Sequence, residues 1–193
     1  RVFDDWHDLV SAPDIGAVVI ASPQAHHAVQ ILAAADARKH IFCEKPVATD
    51  SPGVRSVLAS AKLAKEKSLS LVTGFCWRYD FGRREFFKRI HDGAIGDLRA
   101  VYANYDTGQV NPMPPASARP KDMGDLEWQL RNWYNFTWLS GDHIVEQFVH
   151  TLDKALWTMG DEPPVSCIGL GGRQQRGRQR GGRAVPRARR ARR

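Results

Sequence analysis

"DIGAVVIASPQAHHAVQILAAADARKHIFCEKP", residues 14–46, decides the fold. Within it "IGAVVIAS" (15–22) is a continuous apolar run bounded by Pro13 and Pro23, the texture of a strand buried on both faces. "QAHHAVQILAAADAR" (24–38) is Ala-rich and predicts a helix, and "KHIFCE" (39–44) predicts a second short strand. Moving outward, Asp50 or Ser51 followed by Pro52 is a helix start, with the helix running to about Lys67. "SLSLVTGF" (68–75) is the third strand. Strands alternating with helices of this length predict a parallel sheet with right-handed crossovers, so the fold class is α/β.

Downstream, "GRREFFKRIHDGAIGDL" (82–98) predicts a helix stopped by glycines, and "RAVYANYDT" (99–107) alternates like a strand, with Val101, Ala103 and Tyr105 on one face. The Pro/Gly/Ser-rich stretch 108–125 predicts a long loop, a length that compact domains often reserve for function. The segment "DHIVEQFVHTLDKALWTM" (142–159) has the clearest helical period in the chain. At 100° per residue Ile144, Val145, Phe148, Val149, Leu152, Ala155, Leu156 and Met159 share one face, which predicts the core side. His143, Glu146, Gln147, His150, Asp153 and Lys154 share the other, with Trp157 among them.

Composition bounds what such a chain can be. Its 193 residues are 42% hydrophobic, ordinary for a globular protein, and no apolar run approaches the roughly 18 residues that would span a bilayer. Cys43, Cys76 and Cys167 are odd in number and widely spaced, which argues against a disulfide framework and sets a reduced, cytoplasmic compartment as the default. The opening "RVFDDWHDLV" has no starting Met and no signal-peptide regions, so the chain reads as starting in mid-domain and an export signal stays open. The net charge of +7 is confined to one end: residues 171–193 hold ten arginines and no acid, and without them 18 basic residues stand against 21 acidic, a net −3. That tail has no apolar period and predicts disorder. A shifted reading frame in GC-rich coding is the preferred account of it, and an arginine-rich nucleic-acid-binding arm the alternative.

Three places could carry chemistry. At the first strand's carboxyl end, "ASPQAHH" (21–27) leads into a helix N-terminus, where open α/β sheets bind ligands; His26 and His27 would touch such a ligand, or stand there as exposed or capping residues. At the second strand's end, Pro46 biases Lys45 towards an extended conformation. A lysine partly desolvated there passes a proton; a solvated Glu44–Lys45 pair is the plain alternative. On the polar face of 142–159, His143 and His150 are seven apart, against four in the zinc-protease helix, so no metal is expected. Two histidines, a glutamine and a tryptophan instead suit a face turned to a polar cavity.

These motifs, in this order and spacing, resemble the Gfo/Idh/MocA family, the relatives of glucose–fructose oxidoreductase and inositol dehydrogenase. Ser22-Pro23, His27 four residues after that proline, Lys39-His40 and Glu44-Lys45-Pro46 fit the family pattern, with Arg38 in its usual glycine place. "GFCWRYD" (74–80) and "DGAIGDL" (92–98) fit further signatures, and the resemblance covers about residues 1–170. It implies that Lys45 lies beside nicotinamide and substrate and relays a proton. It further implies that Ser22, Pro23, His27, Glu44, Lys45 and Pro46 line the cofactor, NAD or NADP. The second catalytic signature, Asp–three residues–His–two residues–Asp, is met by Glu146, His150 and Asp153. Glu146 replaces an Asp there, so its role is less defined than that of His150.

The resemblance then implies the latter part of a Rossmann-type domain over residues 1–80, an incomplete α+β substrate domain over 81–170, and the tail over 171–193. The family's first strand, Gly-rich phosphate loop and ribose-binding acid have no counterpart in the 193 residues, which reads as an internal fragment. The implied activity is hydride transfer between NAD(P) and a hydroxyl of a sugar or polyol, in a homo-oligomer when full length and with no membrane partner. Its rivals are a non-redox relative that binds a carbohydrate-like ligand, and nucleic-acid binding through the tail.

Overall fold

The computed structural model describes residues 1–108 and 110–172; from residue 173 onward the arginine-rich tail lies outside the described residues. Three parallel strands, β1 (Ala17–Ile20), β2 (His40–Cys43) and β3 (Leu71–Thr73), stand in sequence order. Ile20 is level with Cys43, and Cys43 with Thr73, so the carboxyl ends finish side by side. The crossovers are α2 (His27–Asp36), entered through a 3₁₀ turn at Gln24–His26, and α3 (Ser51–Glu66). Asp50 caps α3 by accepting a hydrogen bond from the Gly53 amide at 2.7 Å, with Pro52 in the first turn.

Val18 and Ile20 from β1, Ile41 and Cys43 from β2, Ala28, Ile31, Ala34 and Ala35 from α2, and Val57 from α3 make one core. Each Val or Ile side chain buried this way contributes roughly 1.5–3 kcal/mol before entropy is counted. Ahead of β1 runs α1 (Trp6–Ser11), and the link between them is tied by Lys39, a buried cation whose Nζ donates to the carbonyls of Ala12 and Ile15, both at 2.7 Å. The expectation that β1 is buried on both faces is corrected: Val19 is 75% exposed while Val18 and Ile20 are buried. The reason is geometric. Adjacent parallel strands taken in sequence order, joined by crossovers of one hand, put α2 and α3 on the same side of the sheet.

After a 3₁₀ turn at Cys76–Tyr79, α4 runs from Phe81 to His91 and ends in a turn in which Gly93 and Gly96 have positive φ, short of the expected residue 98. The strand expected over 99–107 is absent among the described residues; the stretch runs without a neighbouring strand, and an isolated extended segment has no ladder to hold it. Two short helices follow, α5 (Asp125–Arg131) and α6 (Thr137–Ser140). Gly141 closes α6 at φ +73°, and a Cβ there would sit 2.6 Å from the Cβ of Val145, so only glycine makes this turn.

The helix expected over 142–159 is present as a π turn at Ile144–Phe148 continued by α7 (Val149–Thr158). Its burial departs from expectation, with Val145, Phe148, Val149 and Ala155 of the apolar face only part-buried. Glu146, Thr151 and Asp153 are buried, while Ile144, Leu152, Leu156 and Met159 are exposed. A period identifies which residues share a face; the partners available decide which face goes in. Here they are polar. Arg78 donates from Nε to Asp153 Oδ1 at 2.8 Å and from its two terminal nitrogens to the Asp161 carboxylate at 2.6 and 3.0 Å. Trp157 stacks on Phe87 of α4 with ring centroids 4.1 Å apart, and His91 Nε2 lies 2.8 Å from the Trp157 carbonyl. No helix among the described residues is long and apolar enough to cross a membrane.

Candidate functional site

The carboxyl ends of β1 and β2 are knotted together by His27. Its buried ring sets Nδ1 2.8 Å from the Pro46 carbonyl and Nε2 2.7 Å from the Ser22 carbonyl. Ser22 donates its hydroxyl to Gln30 Oε1 at 2.6 Å. Ser22, Pro23, His27 and Pro46 are thus brought together, with the His27 ring engaged by backbone rather than turned outwards. The Lys45–Pro46 peptide is cis. At the end of β3, Gly74 gives the Glu44 carboxylate its room: a Cβ there would lie 2.6 Å from Glu44 Oε2. Cys43, just before it, is an inert thiol, pushed up to about 12 by burial and by the charge of Glu44.

Lys45 reaches from this loop to the helix beyond residue 142. Its Nζ donates to the Glu146 carbonyl at 2.6 Å and to Glu146 Oε1 at 3.1 Å, with the lysine side chain 14% exposed. Glu146 Oε2 accepts from Gln24 Nε2 at 2.6 Å. Burial pushes the Glu146 carboxyl above its usual range despite the opposing pull of Lys45 and Gln24. The chain separation between Lys45 and Glu146 is closed by α6 and the π turn, which set the helix against the strand ends. π turns occur frequently at functional sites.

His150 follows Glu146 on the same helix. Its ring lies 4.8 Å from that of Trp77 and edge-on to Phe75 at 6.4 Å, both from the "GFCWRYD" stretch. Burial first, then the nearby charges of Lys45 and Lys154, hold the His150 pKa below its ordinary value, so the ring is neutral and basic near pH 7. Trp77 itself carries two cations, Lys154 Nζ 3.3 Å and the Arg83 guanidinium 4.9 Å from its ring centre. Asp153, the last residue of the signature, is engaged by Arg78 instead and serves to seat the helix. His143 is exposed, its ring 5.9 Å from Tyr105. Among the described residues no group of three or more His, Cys, Asp and Glu could hold a metal ion.

Sequence reading assigns no partner to four contributors. Gln24 reads as the first residue of a helix, although its place directly after Pro23 at a strand's carboxyl end marks it. Trp77 and Phe75 lay inside a quoted motif without a role. Gln147 accepts from Tyr105 at 2.7 Å and donates to Tyr134 at 2.7 Å, a bridge between segments that no local pattern announces.

Residues 1–75 match the model of an oxidoreductase family with an NAD-binding Rossmann fold, GFO_IDH_MocA. Over 169 residues the chain is 32% identical to the inositol 2-dehydrogenase of Gluconacetobacter diazotrophicus, covering 86% of this chain and 48% of that one. An oxidoreductase domain protein from Kribbella flavida superimposes with a TM-score of 0.66 at 26% identity, over 81% of this chain and 38% of that one. A scyllo-inositol dehydrogenase from Lactobacillus casei, with NAD(H) and scyllo-inositol bound, does so at 0.56 and 25% identity, over 82% and 41%. The chain spans less than half the length of each of these relatives. The expected α/β class with a parallel sheet stands in the structure, the family's model ends at the β3 carboxyl end, and the likeness to whole dehydrogenases runs on through the helix that carries Glu146 and His150. On this ground the chain belongs to the Gfo/Idh/MocA family of oxidoreductases.

Proposed function

We propose that the chain forms the reacting-carbon side of an NAD(P)-dependent dehydrogenase acting on a cyclic polyol or sugar, with inositol-like polyols the first class to test. One observation carries the reading: the Lys45 ammonium at the β2 carboxyl end is bonded to Glu146 on the same helix that holds a neutral His150. Strand carboxyl ends of a parallel sheet are where nucleotides bind. The donor set fits the nicotinamide end, because the Ser22-Pro23, Lys45-Pro46 and Gly74 ends lie side by side there. No Gly-x-Gly-x-x-Gly stretch for a pyrophosphate occurs in the sequence. The domain pieces, 1–80 as the latter part of the nucleotide-binding unit and 81–170 as part of a substrate unit, belong to the same proposal.

A nicotinamide held at these strand ends would supply the hydride acceptor. His150 takes the hydroxyl proton, because a ring kept neutral by burial and by flanking cations is a competent base near pH 7. Lys45 commits two donors to Glu146 and, as an ammonium with three, has a further direction in which to hydrogen-bond the substrate oxygen and stabilise its developing negative charge. Glu146 holds Lys45 in place. The test is a chimera in which the matched segment of the Gluconacetobacter enzyme is replaced by this one and assayed for NAD(P) reduction across a panel of inositols and sugars. Turnover that requires Lys45 and His150 supports the reading. Turnover indifferent to both would remove it.

A further inference from the structure

We infer that Gln24 is a positioning residue for Lys45, acting through Glu146; the inference rests on the reading of Lys45 given above. Gln24 sits at the mouth of β1, 95% buried, where solvent cannot serve its amide. Its Nε2 donates to Glu146 Oε2 at 2.6 Å, while its Oε1 is buried with no hydrogen-bond partner among the described residues. A buried amide with one unpaired end is a cost that the interior seldom tolerates. Turning the amide over would not help, because Oε1 would then face a carboxylate oxygen, acceptor against acceptor. The charge on Glu146 therefore fixes the orientation of Gln24, and Gln24 in return fixes the carboxylate.

The consequence is carried to Lys45. A glutamate side chain has three torsions and, tethered only by Lys45, could swing with it. With Oε2 pinned by Gln24, the other oxygen, Oε1, is left facing Lys45 at 3.1 Å, and the Glu146 carbonyl at 2.6 Å supplies the second fixed acceptor. Two protein anchors from different elements, the 3₁₀ turn after β1 and the π turn before α7, thus define where the ammonium points. Gln24 touches neither reacting atoms nor Lys45 itself; its work is orientation.

Nuclear magnetic resonance on the 193-residue chain tests this without any catalytic assay. With glutamate carboxyls labelled in ¹³C and glutamine amides in ¹⁵N, the Gln24 side-chain amide should titrate with the same midpoint as the Glu146 carboxyl carbon. Gln24→Met keeps the bulk and removes the donor, and should raise the Glu146 midpoint by roughly one pH unit, the size of one hydrogen bond to a charged group. Gln129→Met should leave it unmoved. A Gln24 amide that ignores the Glu146 titration overturns the inference, and that observation needs only the native chain, so it stands even if Gln24→Met does not fold. An unmoved Glu146 midpoint in a folded Gln24→Met overturns it equally. The two proposals separate cleanly. An inactive chimera with the amide coupling intact removes hydride transfer and leaves the Gln24–Glu146–Lys45 anchor; an active chimera without the coupling removes the anchor alone.

Discussion

The sheet with its two helices and the helix beyond residue 142 are both amphipathic, yet they solve opposite problems. In the first region apolar atoms go in: Ile31, Ala34, Ala35 and Cys43 are fully buried against one another. In the second the buried side of the helix is polar, with Glu146 and Asp153 each held by a cation, Lys45 just after β2 and Arg78 in the turn after β3. The apolar side, Ile144, Leu152, Leu156 and Met159, is left exposed. The core of the first region holds the strand ends rigid, and the polar seam of the second places charged and basic groups at those ends. The apolar core lies in one region, and the groups proposed to carry chemistry lie in the seam between the two.

The strongest way to break this comparison is to strip the seam. In the chimera with the Gluconacetobacter enzyme, Lys45→Ala and His150→Ala should each lower kcat by about 10²–10⁴-fold, the usual contribution of a positioned acid–base group, while NAD(P) binding stays nearly intact. Glu146→Ala should cost less than either. His143→Ala, exposed on the same helix, serves as the control and should change kcat by less than about threefold. Steady-state kinetics with parallel cofactor titration reads all four. Equal losses in His143→Ala and His150→Ala would dissolve the distinction between the two sides of the helix.

The sharpest stability contrast sets Ile31 against Leu152. Ile31→Ala removes a fully buried side chain of the first region and should cost about 2–5 kcal/mol. Leu152→Ala, on the exposed apolar side of the helix, should cost about 0.5 kcal/mol or less, although both residues are equally apolar and both sit on well-formed helices. Denaturant unfolding of the 193-residue chain with each substitution decides it. Comparable losses would mean that the helix buries its apolar side after all.

How far the sequence carried this architecture depended on where each signal came from. The three strands of the sheet, the crossovers and the Asp50 cap are local features written in runs of apolar residues and in Pro and Asp positions, and they stand where expected, unlike the strand expected over 99–107. The one-sided burial of β1 was not legible, because a run such as "AVVI" looks the same whether one face or both are covered. Lys45, Glu146 and His150 were each marked by motif resemblance, whereas the bond between Lys45 and Glu146 and the inward turn of the helix's polar side depend on a cation arriving from 101 residues away. Gln24, Arg78 and the Tyr105–Gln147–Tyr134 bridge are likewise tertiary facts. Amphipathic period reports a division of residues; it carries no sign.

A middle-sized effect tests what seats the helix. Arg78→Leu leaves Asp153 buried, its carboxyl already pushed up by burial and relieved only in part by Arg78, and it releases Asp161 as well. The loss should be about 2 kcal/mol, the range for hydrogen bonds to charged groups, reduced by the guanidinium's partial exposure. Because the clamp positions the helix that carries His150, the same substitution in the chimera should lower kcat more than it weakens cofactor binding. Unfolding curves and kinetics on the same preparation separate the two effects.

The smallest effect is a pH dependence, and its sign distinguishes the part-buried His150 from the buried Glu146. The His150 pKa is lowered in the folded chain, so the unfolded chain binds its proton first as pH falls. Its contribution to stability is present above the ordinary value of 6.5 and is lost as pH drops from there through the lower folded value. Glu146 runs the other way. Its folded pKa is raised, so between the ordinary 4.5 and that higher value the folded chain holds the proton more tightly and stability gains as pH falls. The two slopes oppose each other in mildly acidic solution, and the wild-type curve alone shows little. Subtracting the urea midpoints of His150→Gln from those of the wild type, step by step between pH 7.5 and about 5, should expose a monotonic loss towards acid that belongs to His150. The same subtraction with Glu146→Gln should leave a curve of the opposite slope. A difference curve for His150 that is flat across this range would mean the ring titrates as a free histidine does, and the polar seam would then lose its claim to hold a neutral base.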